Sequence, residues 1–244
     1  MFLFSREKRG SHAPRKNPNE RRAGQLVTVV DPFGAPAEAY RVLRASLAYR
    51  LVDLTRKVIA VTGPSDGEGK STTCANLGVV LAQAGSSTLI VDCDLRKPAI
   101  HHFFGLRNLS GVVDVLTHQD DLQEVWQEPL PGLTVVSAGP IPPNPAELLS
   151  SRSFSEFIDQ VRRREFDYVL VDTTPIQLVS DALTIAQQSD GVLLVFDAQN
   201  TSKGSVQQSV GKLEGVGARV LGTVMNNVKA PRRGKDDYGT YGYR

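Results

Sequence analysis

The sequence has few of the residues that build disulfide-linked or zinc-binding folds, and it has no long apolar run. Its 244 residues include two cysteines, Cys74 and Cys93, and four histidines. Two cysteines cannot form a disulfide framework or a zinc site by themselves, which favours a reducing compartment. No apolar stretch approaches the roughly 20 residues of a membrane-spanning helix, and the apolar opening, residues 1–4, is too short for a signal peptide. We therefore expect a cytoplasmic chain without a membrane-embedded segment.

Neither sign of charge dominates the chain, but both ends differ in composition from the middle. The formal net charge is +2, so we expect no nucleic-acid partner. Residues 5–25 carry seven Lys and Arg residues among Pro, Asn, Gly and Ser, which predicts a disordered basic arm and lead-in over 1–34. Such an arm is either a solubilising tail or a contact for an anionic membrane surface. A folded domain is predicted over 35–228, and a flexible basic, Gly/Tyr-rich tail over 229–244.

The tyrosines are concentrated at the C-terminus. Three of the six, Tyr238, Tyr241 and Tyr243, fall within the last seven residues, where an even distribution would place about 0.2 of a tyrosine. Gly/Tyr-rich tails can serve as stacking or condensation segments. The excess is the least expected feature of the composition and requires an explanation.

Between the two ends, apolar runs alternate with helical patterns. The runs predict strands over 58–62, 88–92, 133–137, 167–172, 191–197 and 219–225. The patterns between them predict helices over 70–84, 146–164, 180–188 and 203–214. Near-continuous apolar strands are typical of parallel strands buried on both faces. The alternation predicts an α/β fold, a doubly wound and mostly parallel sheet with helices on both faces, which binds ligands at the carboxyl ends of its strands.

A glycine-rich loop follows the first predicted strand and precedes a helix. It reads Gly63-Pro64-Ser65-Asp66-Gly67-Glu68-Gly69-Lys70-Ser71-Thr72. Its glycines allow consecutive backbone N–H groups to point at a phosphate, and the helix adds its positive end. In such a loop Lys70 reaches the β- and γ-phosphates, and the Ser71 hydroxyl is placed for Mg²⁺. The usual spacing would put a glycine at Pro64, so the match is partial. The intact core still predicts a P-loop NTPase with a nucleotide site at Gly67, Glu68, Gly69, Lys70, Ser71 and Thr72.

Three aspartates follow apolar strands and are candidates to complete this site. The second strand ends Leu89-Ile90-Val91-Asp92-Cys93-Asp94-Leu95-Arg96, and its alternation puts Asp92 and Asp94 on one side. A later apolar strand ends at Asp172, which is the Walker B pattern. A single aspartate at a strand end is more often a turn former or a helix cap, but three beside a phosphate loop favour Mg²⁺ ligation. The candidate metal residues are Ser71, Asp92, Asp94 and Asp172, and the candidate catalytic residues are Lys70 and the same three aspartates.

Together these motifs resemble the bacterial tyrosine kinases of capsular and exopolysaccharide synthesis, in their soluble, separate-chain form. The resemblance runs from about residue 35 to the C-terminus. Residues 89–96 match the family's h-h-h-D-x-D-x-R pattern, and 139–149 are similar to its Pro-rich turn before a helix. The segment Glu38-Ala-Tyr-Arg41-Val-Leu-Arg44 is similar to the family's E-x-x-R-x-x-R oligomerisation motif.

The segment that carries this last motif has the pattern of an amphipathic helix. At 100° per residue, Glu38, Arg41 and Arg44 occupy one arc of ~120°. An adjacent apolar stripe is formed by Tyr40, Leu43, Leu47, Leu51 and Leu54. The charged arc is either a solvated face or a contact with a neighbouring subunit, and the resemblance implies a ring-shaped homo-oligomer.

The resemblance also implies an activity. The chain would use ATP and Mg²⁺ to phosphorylate Tyr238, Tyr241 and Tyr243 of a neighbouring subunit, with Asp92 as the candidate base and Asp94 and Asp172 ordering Mg²⁺ and its waters. A separate membrane-embedded activator, a polysaccharide chain-length protein, would recruit it to the inner face of the plasma membrane. The chain departs from the family in having Asp-Thr-Thr-Pro where Asp-Thr-Pro-Pro is commoner and in carrying only three tail tyrosines.

The alternative function is a P-loop ATPase switch of the septum-site or chromosome-partitioning type. These proteins share the sheet and both acidic strands. Their loop carries an extra lysine five residues before the P-loop lysine, a position that is Ser65 here. The Gly/Tyr tail likewise differs from the amphipathic membrane helix that ends septum-site proteins. Outside these motifs, Asn226 and Asn227 follow the last predicted strand, where an adenine contact would fall.

Overall fold

A seven-stranded sheet runs through residues 26–228, the part of the chain that the computed structural model describes. The strands are β1 (Lys57–Thr62), β2 (Thr88–Asp92), β3 (Trp126–Leu130), β4 (Leu133–Val136), β5 (Tyr168–Asp172), β6 (Gly191–Asp197) and β7 (Val220–Asn226). Their order is β3-β4-β2-β5-β1-β6-β7. All neighbours are parallel except β3, which pairs antiparallel with β4. The predicted α/β class is confirmed.

The strand register brings three strand ends to one edge of the sheet. In β5, Asp172 lies opposite Val61 of β1 on one side and opposite Asp92 of β2 on the other. The loop after β1 therefore lies beside the acidic ends of β2 and β5. The candidate site residues converge here because the parallel strands share one direction.

Helices cover both faces of the sheet. They are α1 (Val27–Val30), α2 (Ala35–Arg50), α3 (Lys70–Gln83), α4 (Ile100–Phe104), α5 (Val112–Leu116), α6 (Pro145–Leu149), α7 (Arg152–Arg163), α8 (Asp181–Gln187) and α9 (Lys203–Gly215). Alternate side chains of β1 enter two separate apolar clusters: Val58 packs with α7 and α8, and Ile59 packs with α2 and α3. Within residues 26–228, no helix has the length and apolar character needed to cross a bilayer.

The predicted helix over 146–164 is wrong, because two helices occupy this range. The chain leaves α6 at Ser150 and begins α7 after Ser151, whose hydroxyl oxygen accepts a hydrogen bond from Phe154 N at 3.3 Å. A serine at this position competes with helix continuation by capping the next helix. The four-residue spacing of apolar side chains is the same on both sides of the break, so periodicity does not reveal it.

The lead-in to the predicted domain contains packed structure. Leu26 is buried, and Thr28 donates from its backbone N and from its hydroxyl to Asn76 Oδ1 at 3.2 and 2.9 Å. The start of this segment, at Leu26 and Thr28, therefore packs against α3, whereas Val29, Val30 and Phe33 are exposed. This short helix, α1, precedes residue 35, where the folded domain was predicted to begin.

The apolar stripe predicted on α2 is confirmed. Leu47 and Leu51 are fully buried, and Tyr40, Leu43 and Leu54 are partly buried against the cluster on the α3 side of the sheet. The helix is therefore held through this stripe, and the charged residues Glu38 and Arg41 remain near the surface.

Candidate active site

The phosphate loop joins β1 to α3 and contains two glycines in the left-handed region. Gly67 has φ +79°, and Gly69, the residue before the first turn of α3, has φ +90°. A Cβ on Gly69 would lie 2.0 Å from Asn226 Nδ2, so neither the conformation nor the space admits a side chain. The loop thus curls tightly at the start of α3, where backbone N–H groups lack helical partners.

A cavity of about 430 Å³ lies between this loop and the segment that follows β2. Its lining residues are Asp66, Gly67, Gly69, Lys70, Ser71, Thr72, Asp94, Lys97, Ala99 and Phe103. Lys70 is only 6% exposed, and its Nζ donates to Ser65 O at 3.2 Å. The predicted loop residues other than Glu68 therefore line one open cavity that contains a buried ammonium group.

The side chain of Glu68 holds the loop and does not line the cavity. Its Oε2 accepts a hydrogen bond from Ser65 N at 3.0 Å, and its Oε1 accepts one from the Thr201 hydroxyl at 2.7 Å. Its carbonyl oxygen accepts a hydrogen bond from Asn226 Nδ2 at 3.2 Å. Glu68 therefore ties the loop to the segments after β6 and β7 through its side chain and its carbonyl oxygen. Its predicted part in the nucleotide site is through the backbone of the loop.

Asp172, at the end of β5, is fully buried, and its carboxyl oxygens lack hydrogen-bond partners among the described residues. Burial and the nearby Asp92 raise the pKa of this carboxyl well above its usual value, while the Ser71 hydroxyl and the Lys70 charge lower it. An orphaned buried carboxylate is costly unless a cation or a donor joins it.

Asp92, at the end of β2, is also fully buried but is well bonded. Its Oδ2 accepts hydrogen bonds from Ala99 N and Ile100 N at 3.0 Å each, and its Oδ1 accepts one from Asp94 N at 3.2 Å. Burial raises the pKa of Asp92 to about 7, with a further contribution from Asp94, and the three backbone donors oppose the rise. The carboxyl group therefore changes protonation state near neutral pH.

Of the three predicted aspartates, Asp94 is the one that lines the cavity. Its Oδ1 accepts a hydrogen bond from Lys97 N at 2.9 Å, which fixes the turn after β2. Across residues 26–228, no three carboxylate, histidine or cysteine side chains converge closely enough to hold a metal ion by themselves. Asp92 and Asp172 are fully buried and do not line the cavity, so the three carboxylates do not form a closed metal cage.

Asn226 and Asn227, the predicted adenine contacts, lie together at the end of β7. Both line a groove of about 660 Å³ whose walls include Tyr40, Leu43 and Val224. The groove reaches Thr72, which also lines the phosphate cavity. A largely apolar groove therefore adjoins the phosphate cavity at the start of α3.

Sequence reasoning missed two ion pairs beside the cavity. Lys97 Nζ lies 2.6 Å from Asp66 Oδ2, and Arg96 makes a bidentate contact with buried Asp181 through 2.7 and 3.2 Å hydrogen bonds. Both cations lie within three residues of Asp94 in the sequence. That adjacency was a signal that they lie at the site, but their partners come from distant segments that no local pattern reveals.

The residues of the predicted oligomerisation motif take part in contacts within the chain. Arg41 pairs with Glu38 at 2.9 Å and donates to the Pro32 carbonyl, and Arg44 Nη1 donates to Val80 O on α3 at 3.1 Å. Glu38 is 62% exposed in its side chain. Arg44 thus helps to join α2 to α3, while Glu38 remains available at the surface. The predicted acceptors Tyr238, Tyr241 and Tyr243 lie outside the described residues.

Comparison with known proteins places the chain among P-loop NTPases. A family model for ParA, described as the NUBPL iron-transfer P-loop NTPase, matches residues 54–237. The septum-site-determining protein MinD of Pyrococcus horikoshii superposes with a TM-score of 0.60 at 22% identity, over 70% of each chain. This second likeness concerns the fold alone.

Bacterial tyrosine kinases are more similar to this chain, both in sequence and in structure, than the septum-site protein is. Tyrosine-protein kinase YwqD of Bacillus subtilis is 37% identical over 231 residues, which are 94% of this chain and 96% of YwqD. The kinase domain of Escherichia coli tyrosine kinase ETK has a TM-score of 0.81 at 30% identity, over 89% of this chain and 84% of that domain. The chimerical protein CapA2B2 has a TM-score of 0.80 at 34% identity, over 85% of this chain and 91% of the chimera. The chain therefore belongs to the bacterial tyrosine-protein kinases, which are built on the P-loop NTPase fold.

Proposed function

We propose that the chain is an ATP-dependent protein-tyrosine autokinase that phosphorylates Tyr238, Tyr241 and Tyr243 of neighbouring subunits. The observation that carries this proposal is the cavity between the phosphate loop and the acidic strand ends, with Lys70 on one wall and Asp94 on the other. The relative YwqD, which matches nearly the whole chain, is named a tyrosine-protein kinase. By the same relationship, the proposed role is the regulation of capsular or exopolysaccharide synthesis and export.

The two adjoining cavities suit the two ends of ATP. Lys70 and the backbone of residues 67–72 would hold the β- and γ-phosphates. The groove lined by Asn226 and Asn227 has apolar walls for a base and side-chain amides for its polar edge. Thr72 belongs to both spaces and lies where the sugar and the α-phosphate would join them.

The residues around Asp172 fit a magnesium ion. Its two buried oxygens accept no hydrogen bond within the described chain, and the Ser71 hydroxyl lies close enough to affect its pKa. Protein-bound Mg²⁺ usually takes one or two carboxylates and completes its shell with phosphate oxygens and waters, so three converging carboxylates are not needed. Asp172 and Ser71 would hold the ion, with Asp94 and Asp92 ordering its surroundings. Bound Mg²⁺ supplies neutralisation of phosphate charge.

Phosphoryl transfer requires a group that takes the phenolic proton. In the proposed reaction the tyrosine Oη forms a bond to the γ-phosphorus, the bond to the bridging oxygen breaks, and ADP leaves with that electron pair. The proton passes to Asp92, whose pKa of about 7 suits a base at neutral pH. Asp94 lines the cavity and donates from its backbone N to Asp92, and its carboxylate would orient the incoming hydroxyl.

The remaining parts of the proposal concern assembly and location. Glu38, Arg41 and Arg44 would contact the next subunit of a ring and so bring one subunit's tail to another's site. A separate membrane-embedded activator would recruit the kinase to the inner face of the plasma membrane. The exposed carboxylate of Glu38 supports the first part, because a charged group near an apolar stripe offers directional pairing across an interface.

Phosphotyrosine mapping tests the proposal. The full chain is incubated with ATP and Mg²⁺, with and without the cytoplasmic segment of its cognate activator, and its peptides are analysed by mass spectrometry. We expect phosphate on the tail tyrosines of the wild type and none on Lys70→Met. An unmodified tail accompanied by released inorganic phosphate would identify an ATPase switch and overturn the kinase assignment.

A further inference from the structure

A salt bridge joins the two walls of the phosphate cavity. Asp66 belongs to the phosphate loop, Lys97 belongs to the turn after β2, and their charged atoms are 2.6 Å apart. Both residues line the main cavity and a smaller one of about 70 Å³ beside it. The Asp66–Lys97 pair therefore lies where the phosphate loop comes close to the turn after β2.

The two lysines of this cavity differ in their freedom. Among the described residues that line it, Lys70 and Lys97 carry the cationic side chains. Lys70 is 6% exposed and hydrogen-bonded within the loop, whereas the side chain of Lys97 is 73% exposed. Asp66 raises the pKa of Lys97, so the ammonium group is charged at neutral pH. Because the Lys97 side chain is exposed, its ammonium group can exchange one partner for another without disturbing a buried site.

The backbone of Lys97 is fixed although its side chain is exposed. Its N–H donates to Asp94 Oδ1 at 2.9 Å, so the side chain starts from the acidic wall, opposite the phosphate loop. The loop lysine reaches the β- and γ-phosphates, so the terminal phosphate is the part of a triphosphate that approaches this wall. Exposed ion pairs contribute little to stability, and a phosphate bearing more charge than a carboxylate competes well for an ammonium group.

We propose that Lys97 is the residue by which this site distinguishes a nucleoside triphosphate from a diphosphate. Asp66 holds its ammonium group in the nucleotide-free protein, and the terminal phosphate takes its place when a triphosphate binds. Asp66 consequently opposes triphosphate binding, because it must release Lys97. The inference rests on the proposed nucleotide site and does not depend on which tyrosine accepts the phosphate.

Binding measurements test this exchange. Isothermal titration of the full chain is carried out with Mg²⁺ and either ADP or the non-hydrolysable ATP analogue with an imido β–γ bridge. For Lys97→Ala we expect about a tenfold loss of affinity for the analogue, the effect of one charge-assisted hydrogen bond, and less than about a twofold change for ADP. For Asp66→Asn we expect tighter binding of the analogue and unchanged binding of ADP. Lys97→Arg should keep most of the preference for the analogue.

The matched control is Lys57→Ala, at the amino end of β1, where Nζ lies over the Tyr168 ring. It removes one lysine at the end of the sheet opposite the phosphate loop and should leave both affinities unchanged. Equal weakening of ADP and analogue by Lys97→Ala would overturn the inference, as would no change in either. A wild type that binds neither nucleotide would instead contradict the proposed function, so the two failures are distinguishable.

Discussion

Asp172 is buried at the end of β5 with no hydrogen-bond donor to its carboxylate among the described residues. Burial and Asp92 raise its pKa well above the usual value. The Asp172 carboxyl therefore binds its proton more tightly in the folded protein than in the unfolded chain. Its contribution to stability is fully present below the unfolded-state pKa of about 4 and is lost as pH rises through the folded-state pKa.

We predict that Asp172→Asn stabilises the nucleotide-free protein and abolishes phosphotransfer. The melting temperature of the variant should exceed that of the wild type by a margin that grows as pH rises from about 5 to about 8. Thermal melts across this range check the stability, and tail labelling checks the activity. The control is Asp159→Asn, an exposed aspartate on α7. A margin that shrinks with rising pH would contradict the assignment.

The pH dependence of the reaction is predicted from Asp92. Its pKa of about 7 means that the carboxylate needed to accept a proton forms as pH rises through neutrality. The wild-type rate of tail phosphorylation should therefore rise through about pH 7 and level off above it. Asp92→Asn should lower the rate by about 10²–10⁴-fold, whereas Asp94→Asn should slow the reaction and keep the midpoint. A flat wild-type profile between about pH 6 and pH 8 would argue against Asp92 as the base.

At the scale of elements, the phosphate loop depends on contacts from two segments distant in sequence. Glu68 accepts a hydrogen bond from Thr201, after β6, and Asn226, at the end of β7, donates to its carbonyl. The Thr201 hydroxyl also accepts a hydrogen bond from Asp197 N at 3.2 Å. The loop conformation is thus set by the ends of β6 and β7 as well as by its own glycines.

Thr201→Val should loosen the loop, because it removes the hydroxyl and keeps the branched shape. We expect a loss of about 2 kcal/mol in the free energy of unfolding, because the hydroxyl donates one hydrogen bond and accepts another and each has a net value of about 1 kcal/mol. Nucleotide affinity should fall severalfold. Chemical denaturation and titration with ADP measure the two effects. Thr201→Ser restores the donor and should recover both, and its failure to do so would show that the hydroxyl is not what matters.

The sequence patterns predict most elements because burial is uniform along them. The strands β1, β2 and β5 are nearly or fully buried along their lengths, so their apolar runs are continuous. The edge strand β3 was not predicted, since Pro129 and mixed polarity are tolerated where one side has no partner strand. The grouping of the acidic strand ends was also predictable, because parallel strands bring their carboxyl ends to the same edge of the sheet.

The partners of the site residues could not be predicted in the same way. The contact of Glu68 with Thr201 joins residues 133 positions apart, and that of Lys97 with Asp66 joins residues 31 apart. No periodicity encodes such pairs. A glutamate within a phosphate loop has the same sequence signature whether its side chain lines the cavity or, as here, is bonded to the backbone and to Thr201.

At the scale of the whole molecule, the charged arc of α2 can be tested separately from its packing role. Arg44 donates to Val80 O, so its reversal would also disturb the contact of α2 with α3. Glu38→Lys is the cleaner change, because this side chain is 62% exposed. We predict that wild type sediments as a ring and Glu38→Lys as a monomer with an unchanged melting temperature. Arg152→Glu, on an arginine 92% exposed on α7, is the control. An unchanged sedimentation coefficient for Glu38→Lys would reject the interface.

Transfer between subunits is then tested by mixing. Lys70→Met removes the buried ammonium group of the phosphate cavity, so this variant alone should not label its own tail. Mixed with wild type and distinguished by a mass tag, it should carry phosphate on its tail tyrosines, because the wild-type subunit supplies the site. Mixed instead with Glu38→Lys, which keeps its own site and loses the interface, it should remain unlabelled at the same protein concentration. Label confined to wild-type subunits in the first mixture would mean that each tail enters its own site, and the ring would then have no part in presenting the tyrosines.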